Sequence, residues 1–451
     1  MFKKIEIWIL YLVLLLGLPL AIGFGVLVRH EIIGGKRFGQ VSKIALFLSE
    51  IPVNLIKIVR SDLEIVDRFP FLDGFNGTPN SSESYLLLSK YDGDLGEGIV
   101  ELIDLMNFKV LHTWNPDIDE FNKSVKKVDE FKYLNRDASN SRSLLRNPIL
   151  LKDGSLLFQY KSPFRKIDSC SNLVFQNAND MFHHSIEIDF EGNIWVPSHI
   201  YPQSLPIEKV GRKIINEGGY YDDAIVKLSP NGENLFKKSV SQIFIDNGLE
   251  YLLFSVGDTG FNKDPIHLND IQPVNFNGRF WKKGDIFLSL RNQSMILLYR
   301  PSTNKIIWKG KGPFFYQHDV DILNDHKISV FNNNTKKLVD GLIVDGHNEV
   351  IIYDFETNKY SNYLNESLIK NDVKTITAGR SEILSNGDLF VEETNYGRTL
   401  YFNSDGSLRW THLNRAKNGK TYVIRWSRIL VNNEDIKLVN NFLKSRGNCN
   451  E

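Results

Sequence analysis

Cysteine is nearly absent from this chain of 451 residues: only Cys170 and Cys449 occur. Two thiols exclude a disulfide framework and any four-cysteine zinc site. A single bridge between them is chemically allowed but unsupported, because Cys449 lies in a polar tail. An excess of charge of one sign is also missing, with 54 Lys+Arg against 54 Asp+Glu. That balance argues against a general nucleic-acid or polyanion binder, which needs a basic surplus. No glycine-rich loop runs into Lys followed by Ser or Thr, and Lys309-Gly-Lys-Gly-Pro313 has the wrong spacing for one. A nucleotide cradled in that way is therefore not expected. The Gly-x-Ser-x-Gly elbow is absent as well. Beyond Ser84 no long helical period appears.

What is present begins with an apolar run from Ile7 to Val28. At about 1.5 Å per helical residue it can cross a hydrocarbon layer of roughly 30 Å. Pro19 inside it is tolerated in a membrane helix. Lys3 and Lys4 precede the run and Arg29, Lys36 and Arg37 follow it, so flanking charge gives no clear orientation. A cleaved signal peptide is the rival. The run is longer than a usual signal core, and no small-x-small site ends it. Residues 1–30 are therefore read as an uncleaved single-pass anchor. Residues 31–83 read as a helical connector. Within it Ile44, Leu46, Phe47, Ile51, Leu55, Ile56 and Val59 form one helical stripe between Ser42 and Arg60, expected to pack on the main domain.

The rest carries 42% apolar, 24% charged and 12% aromatic residues over the whole chain, which suits a globular β-rich body. A two-part unit repeats through it. Its first part is strand, Gly- or Asn-containing turn, strand: Ile149–Phe158, Ile186–Trp195 and Ile383–Phe390, with degenerate copies at Asp270–Leu290 and Val320–Phe331. Its second part is an outer hairpin, seen at Ile99–Trp114, Arg165–Phe175, Ala224–Gly232, Met295–Trp308, Val350–Phe355 and Thr399–Trp410. Six such units predict an all-β fold, a six-bladed β-propeller over residues 84–430; a β-sandwich with a second β domain is the rival. Thr421–Leu430 is placed to close the ring on the first blade or to lie near the site. Asp435–Arg446 reads as a short helix in the 431–451 tail. The insertions Asp117–Asn147 and Tyr201–Tyr221 are expected over one mouth.

Histidine marks the starts of three inner strands. His184, His267 and His318 align, each with a carboxylate three residues on: Glu187, Asp270 and Asp321. The fifth unit has Glu382 in the carboxylate slot and Gly379 in the histidine slot. Inner strands ring the channel of a propeller, so equivalent positions meet at one depth. The carboxylates alternate to the other face and can fix neighbouring groups. His112, His326, His347 and His412 read as surface or hydrogen-bonded core residues; His183 and His199 are less clear. A three-histidine cluster suits either covalent chemistry or zinc with the carboxylates behind it, and the pattern does not choose. Arg291, in Ser289-Leu-Arg-Asn-Gln-Ser294, sits where a strand ends, and a guanidinium suits a multi-oxygen anion.

The order Ile266-His267-Leu-Asn269-Asp, Leu288-Ser-Leu-Arg291-Asn-Gln-Ser294, Ile307-Trp308 with Gly-Lys-Gly-Pro, and Gln317-His318-Asp319 resembles the bacterial arylsulfate sulfotransferase family. The resemblance is strong over 180–334 and looser over 84–430. It implies a propeller in the periplasm, here held by the membrane anchor. It implies transfer of a sulfuryl group from a phenolic sulfate ester to a phenol, with no nucleotide-sulfate donor, no cofactor and no metal at the chemistry. Carried over, His318 is the nucleophile, Arg291 and His267 hold sulfuryl oxygens with Asn269 beside them, and His184 is a further channel histidine. His183 takes that place if the alignment slips by one. The partners implied are a small aryl sulfate and a phenol, without nucleic acid; no oligomeric state is assigned. The alternative is a membrane-anchored propeller that binds a ligand or protein without catalysis. A metal-dependent hydrolase or lyase on the same scaffold is a third reading.

Overall fold

The computed structural model describes residues 7–32, 37–59, 63–125, 139–160, 162–211, 220–255, 261–339, 341–446 and Cys449. The chain divides into two units, Met1–Asp62 and Leu63–Glu451. The first holds two helices, α1 (Ile7–Ile32) and α2 (Gly39–Val59). Side chains from Tyr11 to Val26 are exposed all round α1, which is long and apolar enough to cross a membrane. Within this unit α2 packs on α1: Ser42 and Ala45 are small and buried, and Ser42 Oγ donates to Glu31 Oε2 at 2.5 Å.

The second unit is the six-bladed propeller. Blade 1 has Tyr85–Asp92, Glu97–Asp104 and Lys109–Trp114, and its innermost strand is Arg428–Leu430. The far end of the chain therefore closes the ring, with Tyr85 opposite Leu430 and Leu87 opposite Arg428. This is the closure expected of the Thr421–Leu430 segment. Blade 2 runs Arg146–Leu150, Leu156–Gln159, Phe164–Ile167, Leu173–Asn177. In blade 3 the inner strand is broken into Met181–Phe182 and Glu187–Ile188, both paired with Ile194–His199 and followed by Asp223–Leu228 and Asn234–Ser239. Blade 4 is Leu268–Pro273, Ile286–Leu290, Met295–Arg300, Lys305–Lys311. Blade 5 is Val320–Ile322, Lys327–Asn332, Glu349–Asp354, Lys359–Asn362, with a small hairpin inserted at Thr335–Val344. Blade 6 is Arg380–Ile383, Leu389–Glu393, Arg398–Phe402, Leu408–Leu413. The long insertions of blades 2 and 3 lie partly outside the described residues, at 126–138 and 212–219.

Blade 6 gains a fifth, outermost strand, Gly74–Gly77. Residues from Glu64 on thus contribute strands to this unit rather than a helical connector. Asp73-Gly-Phe-Asn-Gly-Thr-Pro-Asn80 has no alternation to announce a strand; it pairs through its backbone. Gly77 is required there: it has φ 122°, and a Cβ would lie 2.4 Å from the Arg409 carbonyl oxygen.

Apolar side chains fill the wedges between blades. Leu86, Leu88, Ile103, Phe390 and Trp410 bond blade 1 to blade 6, and Ile225, Ile271, Leu288 and Leu297 bond blade 3 to blade 4. The helix Asn433–Ser445 folds onto blade 1, where Phe442 stacks on Trp114 with centroids 5.3 Å apart. That helix brings the tail over blade 2, and Cys170 and Cys449 form a disulfide. The bridge, unsupported by sequence, exists because helix packing delivers a polar tail to a distant turn.

His412 lies in the blade 6 edge against Phe75, as a core histidine. Burial, helped by Lys90, takes its pKa from 6.5 down to about 3. Between those values the unfolded chain holds a proton that the folded chain does not. Stability is therefore full above pH 6.5 and falls as pH drops toward 3. The expected loss through this one group is on the order of 3 kcal/mol by about pH 4. Urea unfolding in detergent at several pH values checks this: His412→Phe should flatten the acid slope, and an unchanged slope contradicts the assignment.

Candidate active site

Five of the six inner strands are reached through a residue with positive φ. His184 (59°), His267 (57°), Tyr316 (60°), Ala378 (57°) and Trp426 (53°) occupy this place in blades 3, 4, 5, 6 and 1. Pairing registers agree: Glu187 faces Trp195, Asp270 faces Ser289, and Ser381 faces Val391, each three residues on. In blade 5 the residue three after Tyr316 is Asp319, and Val320 faces Val330 as Ile271 faces Leu288. His318 is therefore not the equivalent of His184 and His267, as its sequence alignment had it. It stands two residues further along, level with Asn269 and Arg380. The matching carboxylate is Asp319 rather than Asp321. The slip arises because Gln317-His318-Asp319-Val320-Asp321 offers two acids, and only backbone geometry picks between them.

The three imidazoles nevertheless gather. The His184 ring centroid is 5.1 Å from that of His267 and 6.1 Å from that of His318. Arg291 opens a short turn, Arg291–Gln293, at the end of Ile286–Leu290. Its backbone N–H donates to the His267 carbonyl at 3.0 Å, tying it to the same blade's inner strand. Gln293 braces the turn by donating to Leu252 and Pro265 carbonyls. The guanidinium lies over the Tyr316 ring, 5.0 Å from its centroid, and 3.6 Å from Asp264 Oδ2.

His318 is held at both nitrogens. Nδ1 meets two acceptors, Asn333 Oδ1 at 2.7 Å and the Tyr316 carbonyl at 2.9 Å. Asn333 presents its oxygen because its amide nitrogen donates to Thr375 and Ala378 carbonyls. Nδ1 therefore carries the hydrogen. Nε2 presents its lone pair and accepts the Ala378 N–H at 2.9 Å. His267 is backed by a carboxylate: Nδ1 donates to Asp264 Oδ2 at 2.6 Å, which leaves Nε2 for exchange of a proton. His184 shares one hydrogen with His183, Nδ1 to Nδ1 at 2.7 Å.

Burial holds the pKa of His184 and of His318 well below the ordinary 6.5. For His184 the neighbours His183, His267, His318 and Arg291 add to it; for His318 Arg291 and His267 do, with Asn333 and Tyr316 opposing. Burial and His199 bring His183 down to about 4, against the pull of Asp223. These rings are neutral at neutral pH. They are grouped around a fixed cation, an arrangement suited to a nucleophile beside an oxyanion.

The remaining expected residues divide. Asn269 is fully buried and donates from Nδ2 to the Gln317 carbonyl at 2.8 Å, which fixes the segment carrying His318. His183 lies behind His184, with Nε2 3.3 Å from Asp223 Oδ1. His112, His326 and His347 bond Ser169, Asp325 and Asn365 in outer structure, as read from sequence. Sequence reasoning missed Asp264, Tyr316, Asn333 and Ala378. Asp264, three residues before His267, was the one with a visible spacing signal.

The carboxylates do reach to the next blade. Asp270 accepts the Val320 N–H at 3.0 Å, Asp319 the Ser381 N–H at 3.2 Å, and Glu392 the N–H groups of Trp426 and Ser427 at 2.7 and 2.6 Å. Arg380 lies 3.6 Å from Asp319 and 3.3 Å from Glu382. Burial still pushes Asp319 up to about 6.

Comparison with known proteins bears on this site directly. The family described as Arylsulfotransferase (ASST) matches residues 147–415, more than half of the chain and all three channel imidazoles. No curated protein matches. Among solved structures, a protein of unknown function from Bacteroides caccae is 14% identical, with TM-score 0.46 over 76% of this chain and 98% of that one. TolB from Acinetobacter baumannii is 9% identical, with TM-score 0.41 over 87% and 73%. The Neurospora crassa Pan2 WD40 domain is 9% identical, with TM-score 0.41 over 80% and 97%. None of these three likenesses is near enough to transfer an activity. With the family matched across blades 2 to 6, the chain belongs to the arylsulfotransferase (ASST) family.

Proposed function

We propose that the propeller moves a sulfuryl group from a phenolic sulfate ester to a phenol through a sulfohistidine on His318, without a nucleotide-sulfate donor. In this reading α1 anchors it in a membrane and the propeller lies in the periplasm. The observation that carries the reading is the meeting of His184, His267 and His318 from three blades, with Arg291 over Tyr316 in the same group.

The chemistry follows from the tautomers. Nε2 of His318 attacks sulfur in line with the departing phenolate oxygen. The sulfur–oxygen bond breaks toward that oxygen, which takes a proton from Nε2 of His267. The Ala378 N–H occupies the attacking lone pair at rest. It must yield to sulfur, and it is then a donor beside the sulfuryl oxygens together with Arg291. Sulfation makes the imidazole cationic, and the Asn333 and Tyr316 oxygens already face the nitrogen that shares this charge. In the second half His267, now neutral, takes the proton of the acceptor phenol, whose oxygen attacks sulfur and expels His318. Asp264 supports His267 in both halves. Asn269 acts by holding the Gln317 peptide in place.

Three outcomes are expected. With a chromogenic aryl sulfate and a phenol, initial rates should give the parallel double-reciprocal lines of a ping-pong reaction. Without acceptor, the peptide holding His318 should gain a sulfuryl group that mild acid removes. His318→Ala should lose both, whereas a propeller that only binds would show neither in the wild-type chain. Arg291→Lys keeps the charge but loses the planar fork, and kcat/KM should fall about 10²–10³-fold; a fall of less than tenfold would remove Arg291 from the transition state.

The third outcome concerns pH. With nitrophenyl sulfate, whose leaving group needs little protonation, the single-turnover sulfation rate should stay level from about pH 7 to about pH 5. Burial keeps His318 unprotonated through the ordinary histidine range. A titration centred near 6.5 in that step would point to a more exposed nucleophile.

A further inference from the structure

We propose that His183, His199 and Asp223 form a binding site for a divalent transition-metal cation, zinc first, immediately behind the imidazole cluster. Three neighbouring strand ends of blade 3 supply the donors. His199 stands directly opposite Asp223 on one side and Met181 on the other, and the His183 N–H bonds the Pro197 carbonyl at 3.0 Å. The register alone therefore brings two imidazoles and a carboxylate to one end of the sheet.

The distances fit a metal better than they fit hydrogen bonds. His183 Nε2 is 3.3 Å and His199 Nε2 3.5 Å from Asp223 Oδ1, and the donor atoms of all three residues lie within 4.8 Å of one another. Two ligands at about 2.0–2.1 Å from a tetrahedral zinc stand about 3.3 Å apart. The Asp223 side chain is 1% exposed. Its Oδ1 and His183 Nε2 are buried without a hydrogen-bond partner among the described residues. Asp223 Oδ2 accepts the His267 N–H at 2.9 Å and His183 Nδ1 meets His184, while His199 Nδ1 is a further buried nitrogen without a hydrogen-bond partner among the described residues. Two imidazoles and one carboxylate leave coordination positions open for water or an anion. A second histidine–carboxylate group, His326 with Asp354 and Glu356, does not share these features. The Arg279 guanidinium already meets His326 Nδ1 at 2.9 Å and pairs with Glu356.

The site has a consequence for His184 that rests on the sulfuryl-transfer reading. One hydrogen lies between the two Nδ1 atoms. A cation on His183 Nε2 assigns that hydrogen to His183, so His184 accepts at Nδ1 and carries its own hydrogen on Nε2. His184 is thereby fixed as a hydrogen-bond donor in the cluster, and His183 acts as a positioning residue.

The test is metal binding by the full chain in detergent. After chelation and exchange, elemental analysis should return one equivalent of zinc, and Co²⁺ loading should give the visible absorption of a tetrahedral site. Asp223→Asn retains the acceptor for His267, and His199→Gln leaves that bond untouched. Each should weaken Zn²⁺ binding about 100-fold or more, whereas His326→Gln should bind as the wild type does. No zinc in the wild-type chain, or equal zinc in the wild type and His199→Gln, overturns the site. Because this readout uses no aryl sulfate, a metal-loaded chain without turnover would sink the transfer reading and leave the site standing. If the chain turns over, chelation should lower kcat and Zn²⁺ restore it; an unchanged kcat overturns the link to His184.

Discussion

Backbone polar groups near the propeller axis have no ladder partner on their inner side, and the structure depends on supplying one from the next blade. Asp270 reaches Val320, Asp319 reaches Ser381, and Glu392 reaches Trp426 and Ser427. Ser185 accepts the Ile271 N–H, and Gln159 donates to the His184 carbonyl. An unmet buried N–H costs about 1–3 kcal/mol, so these side chains fix how far each blade can slide against its neighbour. The positive φ at His184, His267, Tyr316, Ala378 and Trp426 turns the chain sharply before five of the inner strands. It aims side chains inward at the point where the ladder has not yet begun. Polar groups needed for assembly and polar groups able to do chemistry thus occupy the same few positions.

That overlap explains the electrostatics. Asp264 bonds the His267 ring, and Asn333 and Ala378 bond the His318 ring, so each of these two imidazoles has a defined face. Burial then keeps His183, His184 and His318 neutral, so Arg291 is the fixed positive charge among them. An incoming anion meets a cation and oriented ring nitrogens rather than a group of competing imidazolium ions. Of the nearby acids, Asp270 and Asp319 are turned to backbone N–H groups of the adjoining blade, while Asp264 lies 3.6 Å from Arg291.

Much of this was readable from residues alone. The two-part repeat, with Gly and Asn turns between alternating apolar strands, gave six blades and the ring closure near Leu430, because hairpin turns and alternation are local signals. Convergence of His184 and His267 followed from their place at strand starts, whereas His318 joins them from two residues further along blade 5. What escaped was set by backbone or by distance. Positive φ at Tyr316, rather than a histidine, marks the start of blade 5, and no residue type announces it. Gly74–Gly77 joins blade 6 through main-chain bonds that any sequence can make. Cys170 and Cys449 are 279 residues apart, and only the docking of Phe442 on Trp114 makes them neighbours. Asn333 and Ala378 act through an amide orientation and a peptide N–H, properties that have no signature in composition.

The displaced position of His318 bears on why the proposed transfer assigns the sulfuryl group to it rather than to His184 or His267. Both of the others stand on positive-φ residues and keep a nitrogen for exchange with hydrogen-bond partners that themselves ionise or share protons. His318 stands two residues into blade 5, pinned between Asn333 on its own blade and Ala378 on the next. Its partners are carbonyl oxygens and a peptide N–H, none of which titrates. In the proposed transfer, a ring held in this way keeps one tautomer through both half-reactions, so the same lone pair that would accept the group is regenerated when the group leaves. The bond to Ala378 also sets a condition on attack: only a ligand whose oxygens can take over that N–H compensates for its loss. A tetrahedral oxyanion does so, and an apolar ligand reaching the same lone pair does not.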